Sequence, residues 1–257
     1  MTPQMLDLAG RVALVTGAGA PDGIGMASAR LLAQMGAAVA VAATTDRIHD
    51  RARELGAPAT GHVADLTVES EVRRLVADVL ARHERIDILV NNAGMVSLGT
   101  DAESGRLADL SLATWQAGMR RNLDSVFLTT REVVPGMAER GWGRIVSVAS
   151  VTGPVMAMAH EAAYAAAKAG VVGLMRSVAL DEAGRGITAN AVAPGWIATG
   201  SQTAAEADHG RRTPMGRSGT ADEVAAAIAW LCSPAAAYIT GQCLVVDGGN
   251  SIAEERA

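Results

Sequence analysis

Residues 11–36 read RVALVTGAGAPDGIGMASARLLAQMG, and they join a short apolar run, a glycine-rich turn and a helical segment. The run RVALVTG at 11–17 is continuously apolar at its centre, which predicts a strand buried on both faces. The segment 23–36 is typical of a helix that ends at Gly36. A buried strand that passes through glycines into a helix predicts the first unit of a parallel α/β sheet.

The same alternation of strand and helix continues along the rest of the chain. Strands joined by helices pair in parallel through right-handed crossovers, so the pattern predicts one doubly wound α/β domain over residues 1–257. We expect a sheet of about seven parallel strands with helices on both faces. The further strands are predicted at 37–43, 60–66, 86–94, 143–150, 186–195 and 242–249, and the further helices at 46–55, 68–84, 113–139, 161–184 and 221–233.

The composition argues against nucleic acid as a partner. The chain of 257 residues is 49% apolar, contains only 3% aromatic residues and carries a net charge of −5. A negative chain repels the phosphate backbone, and few aromatic side chains are present for bases to stack on.

The chain shows no sign of secretion or of a membrane anchor. Its N-terminus lacks the basic and apolar regions of a leader. Residues 224–246 carry no charge, but a Ser-Pro pair at 233–234 interrupts them. Cys232 and Cys243 lack the spacing of metal ligands and are expected to be free thiols. We therefore expect a cytoplasmic protein without a metal site or a membrane partner.

The turn after the first strand predicts a dinucleotide site. Glycines remove side chains where the backbone turns tightly and approaches a ligand, and a helix N-terminus offers free N–H groups to a pyrophosphate. Asp22 is expected to cap this helix. No Lys-Ser or Lys-Thr pair follows, which argues against a nucleoside triphosphate site. The residues predicted to contact the cofactor here are Gly17, Gly19, Gly23, Ile24 and Gly25.

The end of the second strand favours NADP(H) over NAD(H). A carboxylate at this place selects NAD by binding the adenosine ribose, and here the residue is Ala43. Thr44, Thr45 and Arg47 follow it and are able to hold a 2′-phosphate. Alternatively, the polar residues 44–46 only cap the next helix.

Asp65 and Leu66 follow the third strand. They are candidates for the adenine side of the cofactor, with Asp65 as partner of the adenine amino group. The alternative for Asp65 is a helix cap.

Tyr164 and Lys168 are four residues apart on a predicted helix, so their side chains share one face. Lys168 is the only lysine of the chain. A free tyrosine has a pKa near 10, and a neighbouring ammonium favours the phenolate and lowers that pKa. The pair therefore predicts a general acid for a carbonyl oxygen that receives a hydride. A surface pair without function is the alternative for these two residues taken alone.

The order of the motifs resembles the short-chain dehydrogenase/reductase family along nearly the whole chain. Within that family the chain looks most like the bacterial 3-oxoacyl-acyl-carrier-protein reductases. The matching motifs are TGAGAPDGIG at 16–25, NNAG at 91–94, RRNLDSVF around Asn122, GRIVSVASVTG around Ser150, YAAAK at 164–168, PGWIATG at 194–200 and GQCLVVDGGN at 241–250.

The resemblance implies a Rossmann-type fold and a catalytic tetrad. In it, Ser150 binds the substrate oxygen, Tyr164 transfers the proton, and Lys168 lowers the tyrosine pKa and binds the nicotinamide ribose. Asn122 anchors a water molecule in a proton relay. Taken alone, Ser150 is also typical of a strand-end turn and Asn122 of a helix kink, and Ser147 competes with Ser150.

The resemblance also places further residues along NADP(H). Asn91, Ala93 and Gly94 are expected on its adenine and ribose side. Pro194, Gly195, Ile197 and Thr199 are expected at the nicotinamide. The chain departs from the family pattern in a longer glycine loop at 18–22 and in one additional residue between Ser150 and Tyr164.

The substrate is expected to lie among residues 95–98, 154–161 and a substrate loop at about 196–217, which is rich in small and polar residues, as a mobile lid would be. The leading hypothesis is NADPH-dependent reduction of a ketone, with a 3-oxoacyl thioester as one candidate. The alternatives are NAD-dependent oxidation of a sugar, polyol or other secondary alcohol, and a dinucleotide-binding protein without turnover. Family members commonly assemble as homotetramers, so we expect one here.

Overall fold

The computed structural model describes residues 4–94 and 105–254, and a parallel sheet lies at its centre. The strands are β1 (Val12–Thr16), β2 (Ala38–Ala43), β3 (Thr60–Val63), β4 (Ile88–Asn91), β5 (Gly143–Val148), β6 (Ile187–Pro194), β7 (Ile197–Ala198), β8 (Gly219–Thr220) and β9 (Cys243–Val246). Seven of them form one sheet in the order β3-β2-β1-β4-β5-β6-β9, and every pair is parallel. The predicted doubly wound sheet is confirmed.

Eight α-helices connect or follow these strands in the described part of the chain. The helix predicted at 113–139 is present, but a π-helical segment at Arg120–Asp124 divides it. The helices are α1 (Ile24–Gln34), α2 (Arg47–Leu55), α3 (Glu69–His83), α4 (Leu112–Met119), α5 (Ser125–Glu139), α6 (Ala162–Glu182), α7 (Ala204–Arg211) and α8 (Ala221–Cys232).

The apolar strands bury both of their faces. In β1, Val15 packs with Leu32 of α1 and Ile228 of α8, whereas Leu14 packs on the other face with Leu75 of α3. Helices α1, α2 and α8 cover the first face, and α3, α5 and α6 cover the second. Burial on both faces explains why the strands read as apolar runs instead of alternating with polar residues.

The sheet reverses its direction of growth between β1 and β4. The chain runs from β1 outward through β2 to β3, and then returns to pair β4 with the other edge of β1. In such sheets ligands bind beyond the carboxyl ends of the strands at this switch point. The loops after β1 and β4, which carry the glycine motif and the NNAG motif, therefore meet at one place.

Two local features differ from what the sequence predicts. Helix α7 in the substrate loop was not predicted, because its eight residues carry too little apolar pattern; a capping box of Thr203 and Glu206 begins it. The prediction that Asp22 caps α1 is wrong. The N-cap is Gly23, without a side-chain bond, and the Asp22 carboxylate is turned toward Gly200, where a Cβ would lie 2.6 Å from Asp22 Oδ2.

By length and hydropathy, one helical stretch among the described residues, Ala162–Arg185, is long and apolar enough to cross a membrane. It contains α6, whose residues Val171 and Met175 are buried against the sheet. Packing against the sheet accounts for the apolar residues on the buried face of this helix, whereas Leu180 on it is exposed.

Candidate active site

The glycine loop after β1 is bonded directly to the loop after β4. The side-chain amide of Asn92 donates to the carbonyls of Thr16 (3.1 Å) and Gly17 (3.0 Å). The hydroxyl of Thr16 accepts from the backbone N–H groups of Asn92 and Ala93, both at 3.1 Å. Thr16 and Asn92 were not predicted as positioning residues, although they lie inside the motifs TGAGAPDGIG and NNAG.

Gly17 and Gly25 leave no room for a side chain. Gly17 has φ +67°, and a Cβ there would lie 2.7 Å from the Ala93 Cα atom. A Cβ at Gly25 would lie 2.6 Å from Asn92 Nδ2. Gly23 caps α1 without a side-chain bond, so the first N–H groups of the helix, including that of Ile24, remain available to a ligand. This backbone fits the pyrophosphate of a dinucleotide.

Arg47 lies across the glycine loop. Its Nε atom is 3.0 Å from the position that a Cβ of Gly19 would occupy. Thr44 and Thr45 are exposed at the end of β2 beside it. The helix-cap alternative for this segment is weakened, because the N-cap Asp46 makes no side-chain bond to α2. A cation and two hydroxyls therefore border the loop where a 2′-phosphate would bind.

Asp65 supports the turn that leads into α3. Its Oδ1 atom accepts from the backbone N–H of Thr67 (2.9 Å) and from the Thr67 hydroxyl (2.7 Å). Leu66 is buried, whereas Asp65 is exposed. One oxygen of the carboxylate thus has a structural role in this turn.

Asn91 points into the protein. Its amide nitrogen donates to Thr130 (3.0 Å) and Ser147 (3.2 Å), and its oxygen accepts from Thr129 (2.7 Å). These bonds join β4 to α5 and β5. Asn91 was expected to line the cofactor. Because its side chain is hydrogen-bonded inside the protein to Thr130, Ser147 and Thr129, only its backbone is available to contact the cofactor. Ala93 and Gly94 lie half-buried at the loop surface.

Ser150, Tyr164 and Lys168 meet where β5 ends and α6 begins. The Lys168 Nζ atom lies 5.6 Å from the centre of the Tyr164 ring and donates to the carbonyl of Val148 at 2.9 Å. Ser150 is also a neighbour of Tyr164 and helps to lower the pKa of its phenol. The Ser150 hydroxyl oxygen accepts from the Thr152 N–H (3.1 Å), and its proton remains available to donate to a bound oxygen. Ser147 is buried with Asn91, so Ser150 is the serine that meets Tyr164.

Burial shifts the pKa of both ionisable groups. It lowers the pKa of Lys168, which is only 2% exposed, to about 8. Burial also raises the pKa of Tyr164; its neighbour Ser150 opposes this shift, and the carboxylates of Glu161 and Glu206 add to it. The expected lowering of the tyrosine pKa is therefore not found, since burial and two negative charges outweigh the favourable contacts.

Asn122 is fully buried in the π-helical segment. Its amide nitrogen donates to the carbonyl of Gly118 at 3.2 Å, while its Oδ1 atom makes no hydrogen bond within residues 4–94 and 105–254. A Cβ at Gly94 would lie 2.9 Å from this oxygen. Buried acceptors of this kind are usually paired with water. Asn122 therefore lies in an irregular part of the helix and also offers an oxygen that can accept a hydrogen bond from water.

The loop after β6 closes the far side of the site. Pro194 ends the strand, and the N–H of Gly195 bonds the Val246 carbonyl at 3.0 Å. The Thr199 hydroxyl lies 3.0 Å from the Ser201 hydroxyl. A cavity of about 120 Å³ lies under this loop and is lined by Trp196, Ile197, Met215, Arg217, Gly219, Glu223, Val246, Asp247 and Gly248.

Helix α7 packs back on the start of the substrate loop at about 196–217. The ring of His209 in α7 stacks on Trp196, with centres 4.9 Å apart. Arg211 and Arg212 both pair with Asp208. Residues 95–98, which were expected to border the substrate, lie outside the described residues.

The chain as a whole matches a family of known proteins. Residues 17–251 match a family model of the short-chain dehydrogenase type, described as enoyl-(acyl carrier protein) reductase. The chain belongs to the short-chain dehydrogenase/reductase family.

Two curated members of the short-chain dehydrogenase/reductase family illustrate the likeness. The 3-oxoacyl-acyl-carrier-protein reductase FabG of Vibrio cholerae is 40% identical over 250 residues, which cover 95% of this chain and 98% of the relative. Nodulation protein G of a Rhizobium species is 40% identical over 251 residues, with the same coverage of both chains.

A solved structure from Agrobacterium tumefaciens, described as a candidate gluconate dehydrogenase, superimposes with a TM-score of 0.89 at 34% identity. The match covers 98% of this chain and 100% of that one. As a short-chain dehydrogenase/reductase, the protein is an NAD(P)-dependent oxidoreductase that interconverts alcohols and carbonyl compounds.

Proposed function

We propose that the protein reduces a ketone to a secondary alcohol with NADPH, and that a 3-oxoacyl thioester is its substrate class. The observation that carries this proposal is the position of Lys168 beside Tyr164, 5.6 Å from the centre of its ring, with Ser150 as a further neighbour of the phenol, at the carboxyl edge of the parallel sheet. A protonated phenol at this place is suited to give its proton to a carbonyl oxygen that gains negative charge.

The reaction requires the chain to hold one oxygen and supply one proton. Ser150 and Tyr164 bind the carbonyl oxygen between their hydroxyls. As Tyr164 gives up its proton, the Lys168 ammonium stabilises the phenolate by its charge. The buried oxygen of Asn122 holds the water that returns a proton to the lysine. These four residues are the proposed catalytic tetrad.

The cofactor would supply the hydride, and this chain has a backbone that fits it. Gly17, Gly19, Gly23, Ile24 and Gly25 would bind the pyrophosphate, and Asp65 with Leu66 and the backbone of Asn91, Ala93 and Gly94 would border the adenosine. Pro194, Gly195, Ile197 and Thr199 would border the nicotinamide, and Tyr164 and Lys168 its ribose. We assign residues 1–257 to one dinucleotide-binding and catalytic domain.

Replacing Tyr164 with Phe tests the proton donor. We expect the loss of almost all turnover, with the affinity for NADPH changed by less than about threefold. The matched control is Tyr238→Phe, which removes the same hydroxyl but keeps the ring of a side chain that is fully exposed in the single chain, and it is expected to leave turnover unchanged. Substantial activity in Tyr164→Phe would refute the proposal.

We propose NADP(H) as the preferred cofactor because Arg47, Thr44 and Thr45 border the glycine loop without a carboxylate at the end of β2. The test is the ratio of kcat/KM with NADPH and with NADH. A preference for NADH would contradict this assignment.

The substrate class follows from relatives that are named as 3-oxoacyl reductases. The structural likeness to a candidate gluconate dehydrogenase supports a second hypothesis, NAD-dependent oxidation of a sugar, polyol or related alcohol. A panel of 3-oxoacyl thioesters, simple ketones, polyols and sugar acids, each with both cofactors, separates the two. Inactivity on the whole panel would favour a dinucleotide-binding protein without turnover.

We propose a homotetramer. Leu180 of α6 is 85% exposed, and Tyr238 and Ile252 near the end of the chain are 104% and 87% exposed. Leu244 of the edge strand β9, which lies between Tyr238 and Ile252 in the sequence, is also partly exposed. Burial of these apolar side chains against other copies would stabilise the assembly. A monomer in analytical ultracentrifugation at micromolar concentration would contradict it.

We place the protein in the cytoplasm. Cys232 and Cys243 are both unpaired, which fits a reducing compartment. Cell fractionation with a tagged chain tests this, and recovery from the membrane or the medium would contradict it.

A further inference from the structure

The long glycine loop at 18–22 ends in an acidic residue, Asp22, where the candidate cofactor site meets the substrate loop. We propose that the carboxylate of Asp22 weakens the binding of the dinucleotide, because it places a negative charge beside the pyrophosphate. Asp22 then sets the affinity for NADPH and NADH alike. The inference rests on the part of the proposed function that places the pyrophosphate on the glycine loop and the first turn of α1.

The glycine loop contacts a different segment of the protein at each end. Near its start, Gly19 lies against Arg47, whose Nε atom is 3.0 Å from the position of a Cβ at Gly19. At its end, Asp22 lies against Gly200, where a Cβ would be 2.6 Å from Asp22 Oδ2 and 3.1 Å from Asp22 Oδ1. Gly200 directly follows Thr199, which we assign to the nicotinamide side. The carboxylate of Asp22 therefore lies between the pyrophosphate loop and the nicotinamide end of the site.

The backbone on both sides of Asp22 is held in place. The preceding residue, Pro21, has its φ fixed by its ring, and its carbonyl accepts from Arg30 Nη1 of α1 at 3.1 Å. The following residue, Gly23, is the N-cap of α1, and its N–H donates to the Ala20 carbonyl at 3.3 Å. Consecutive Cα atoms are about 3.8 Å apart, so Asp22 is held directly beside the N–H groups that would bind the pyrophosphate.

The charge of Asp22 is not neutralised by a partner. Its carboxylate makes no hydrogen bond or ion pair with residues 4–94 or 105–254. The nearby Arg30 is engaged with the Pro21 carbonyl, and its Nη2 atom lies 3.9 Å from the carboxylate of Asp222 in α8. Asp22 is exposed, so water hydrates its charge. A pyrophosphate bound beside it displaces part of that water and meets an uncompensated like charge.

Asp22 and a pyrophosphate also compete for the same end of a helix. The amino end of α1 carries unpaired N–H groups and the positive end of the helix dipole, which favour a negative charge nearby. Asp22, one residue before the N-cap Gly23, gains part of this stabilisation through space. A bound pyrophosphate takes up the N–H groups. Its binding therefore removes a favourable interaction of Asp22 and adds repulsion between the two anions.

The test is the Kd of the dinucleotide, measured from the fluorescence of NADPH or NADH as it is titrated with the full-length protein in the absence of substrate. Asp22→Asn keeps the shape of the side chain and removes its charge. We expect its Kd to fall about fivefold with both dinucleotides, as expected for one charge at an exposed position. At about 0.5 M salt this gain should shrink, because salt screens exposed charges.

Two further variants control for shape and for total charge. Asp22→Glu keeps the negative charge, and its Kd should stay within about twofold of the wild-type value. Asp181→Asn removes one negative charge from an exposed position near the end of α6, about 25 Å along the helix from Tyr164, and should leave both affinities unchanged. The equal gain with NADPH and NADH distinguishes Asp22 from Arg47, whose effect is expected with NADPH alone.

Binding without substrate separates this inference from the proposed reaction. If no carbonyl compound is turned over, the proposed function fails, while tighter binding of both dinucleotides by Asp22→Asn still supports the role of Asp22. If a ketone is reduced but Asp22→Asn binds NADPH and NADH no more tightly than the wild-type protein, the inference is overturned and the function stands. Equal gains in Asp22→Asn and Asp22→Glu would assign the effect to shape instead of charge and would also overturn it.

Discussion

The ammonium of Lys168 lies 5.6 Å from the centre of the Tyr164 ring, and it is anchored from behind by the carbonyl of Val148 at 2.9 Å. Burial in this position lowers the lysine pKa to about 8, so most of the lysine is charged at neutral pH and the charge is lost as the pH rises through that value. The tyrosine loses a stabilising neighbour in the same range.

This relationship predicts the pH dependence of the reduction. Above about pH 8, kcat/KM should fall about tenfold per pH unit, because only the enzyme with a charged Lys168 supports proton transfer. Lys168→Arg should remove this alkaline limb at a lower maximal rate, since arginine stays charged but has a different shape. Rates measured from pH 6 to pH 10 check both statements. A wild-type profile that stays flat to pH 10 would exclude Lys168 as the titrating group.

Ser150→Ala should lower kcat by about a hundredfold or more. It removes one of the two hydroxyls at the proposed oxygen site, and it removes a neighbour that lowers the pKa of Tyr164. Ser147→Ala is the control: this hydroxyl is buried against Asn91 and Met175, so its loss should cost about 1 kcal/mol of stability and leave kcat nearly unchanged. Steady-state kinetics and denaturant unfolding give the two quantities. Equal effects of both changes on kcat would be inconsistent with the proposed role of Ser150.

Gly17→Ala should prevent cofactor binding and destabilise the protein by several kcal/mol. An alanine there would be strained by the positive φ of +67°. Its Cβ atom would also lie only 2.7 Å from the Ala93 Cα atom and clash with it. Gly10→Ala separates these causes, because Gly10 has φ +75° but no atom within 4 Å of the added methyl group. Its cost should be about 1–2 kcal/mol. Urea unfolding and NADPH titration measure the outcomes, and similar costs for both variants would show that the clash is unimportant.

Arg47→Ala should reduce kcat/KM with NADPH by about tenfold or more and leave the value with NADH nearly unchanged. The guanidinium lies over Gly19 at the edge of the glycine loop, where a 2′-phosphate would gain a charge-assisted contact. Arg53→Ala on the same helix is the control, because Arg53 pairs with Asp50 on the surface. A parallel loss with both cofactors would place Arg47 outside the phosphate site.

The local pattern of the sequence determined the elements and their order. Continuous apolar runs such as VALV at 12–15, alternating with helical segments along the chain, are typical of strands buried on both faces of a parallel sheet covered by helices. The spacing of Tyr164 and Lys168 also brought the pair to one helical face, since a helix fixes neighbours four residues apart. These properties depend on residues close in sequence, and they could be predicted from it.

The tertiary structure alone decided which way side chains point and what surrounds them. Asn91 turns inward to Thr129 while Asn92 holds the glycine loop, although the two are adjacent in the sequence. Arg47 reaches Gly19 only because β2 lies beside β1. The pKa of Tyr164 is raised where the spacing predicted a fall. Burial and charges contributed by distant segments set that value, and pairwise spacing along one helix contains no information about them.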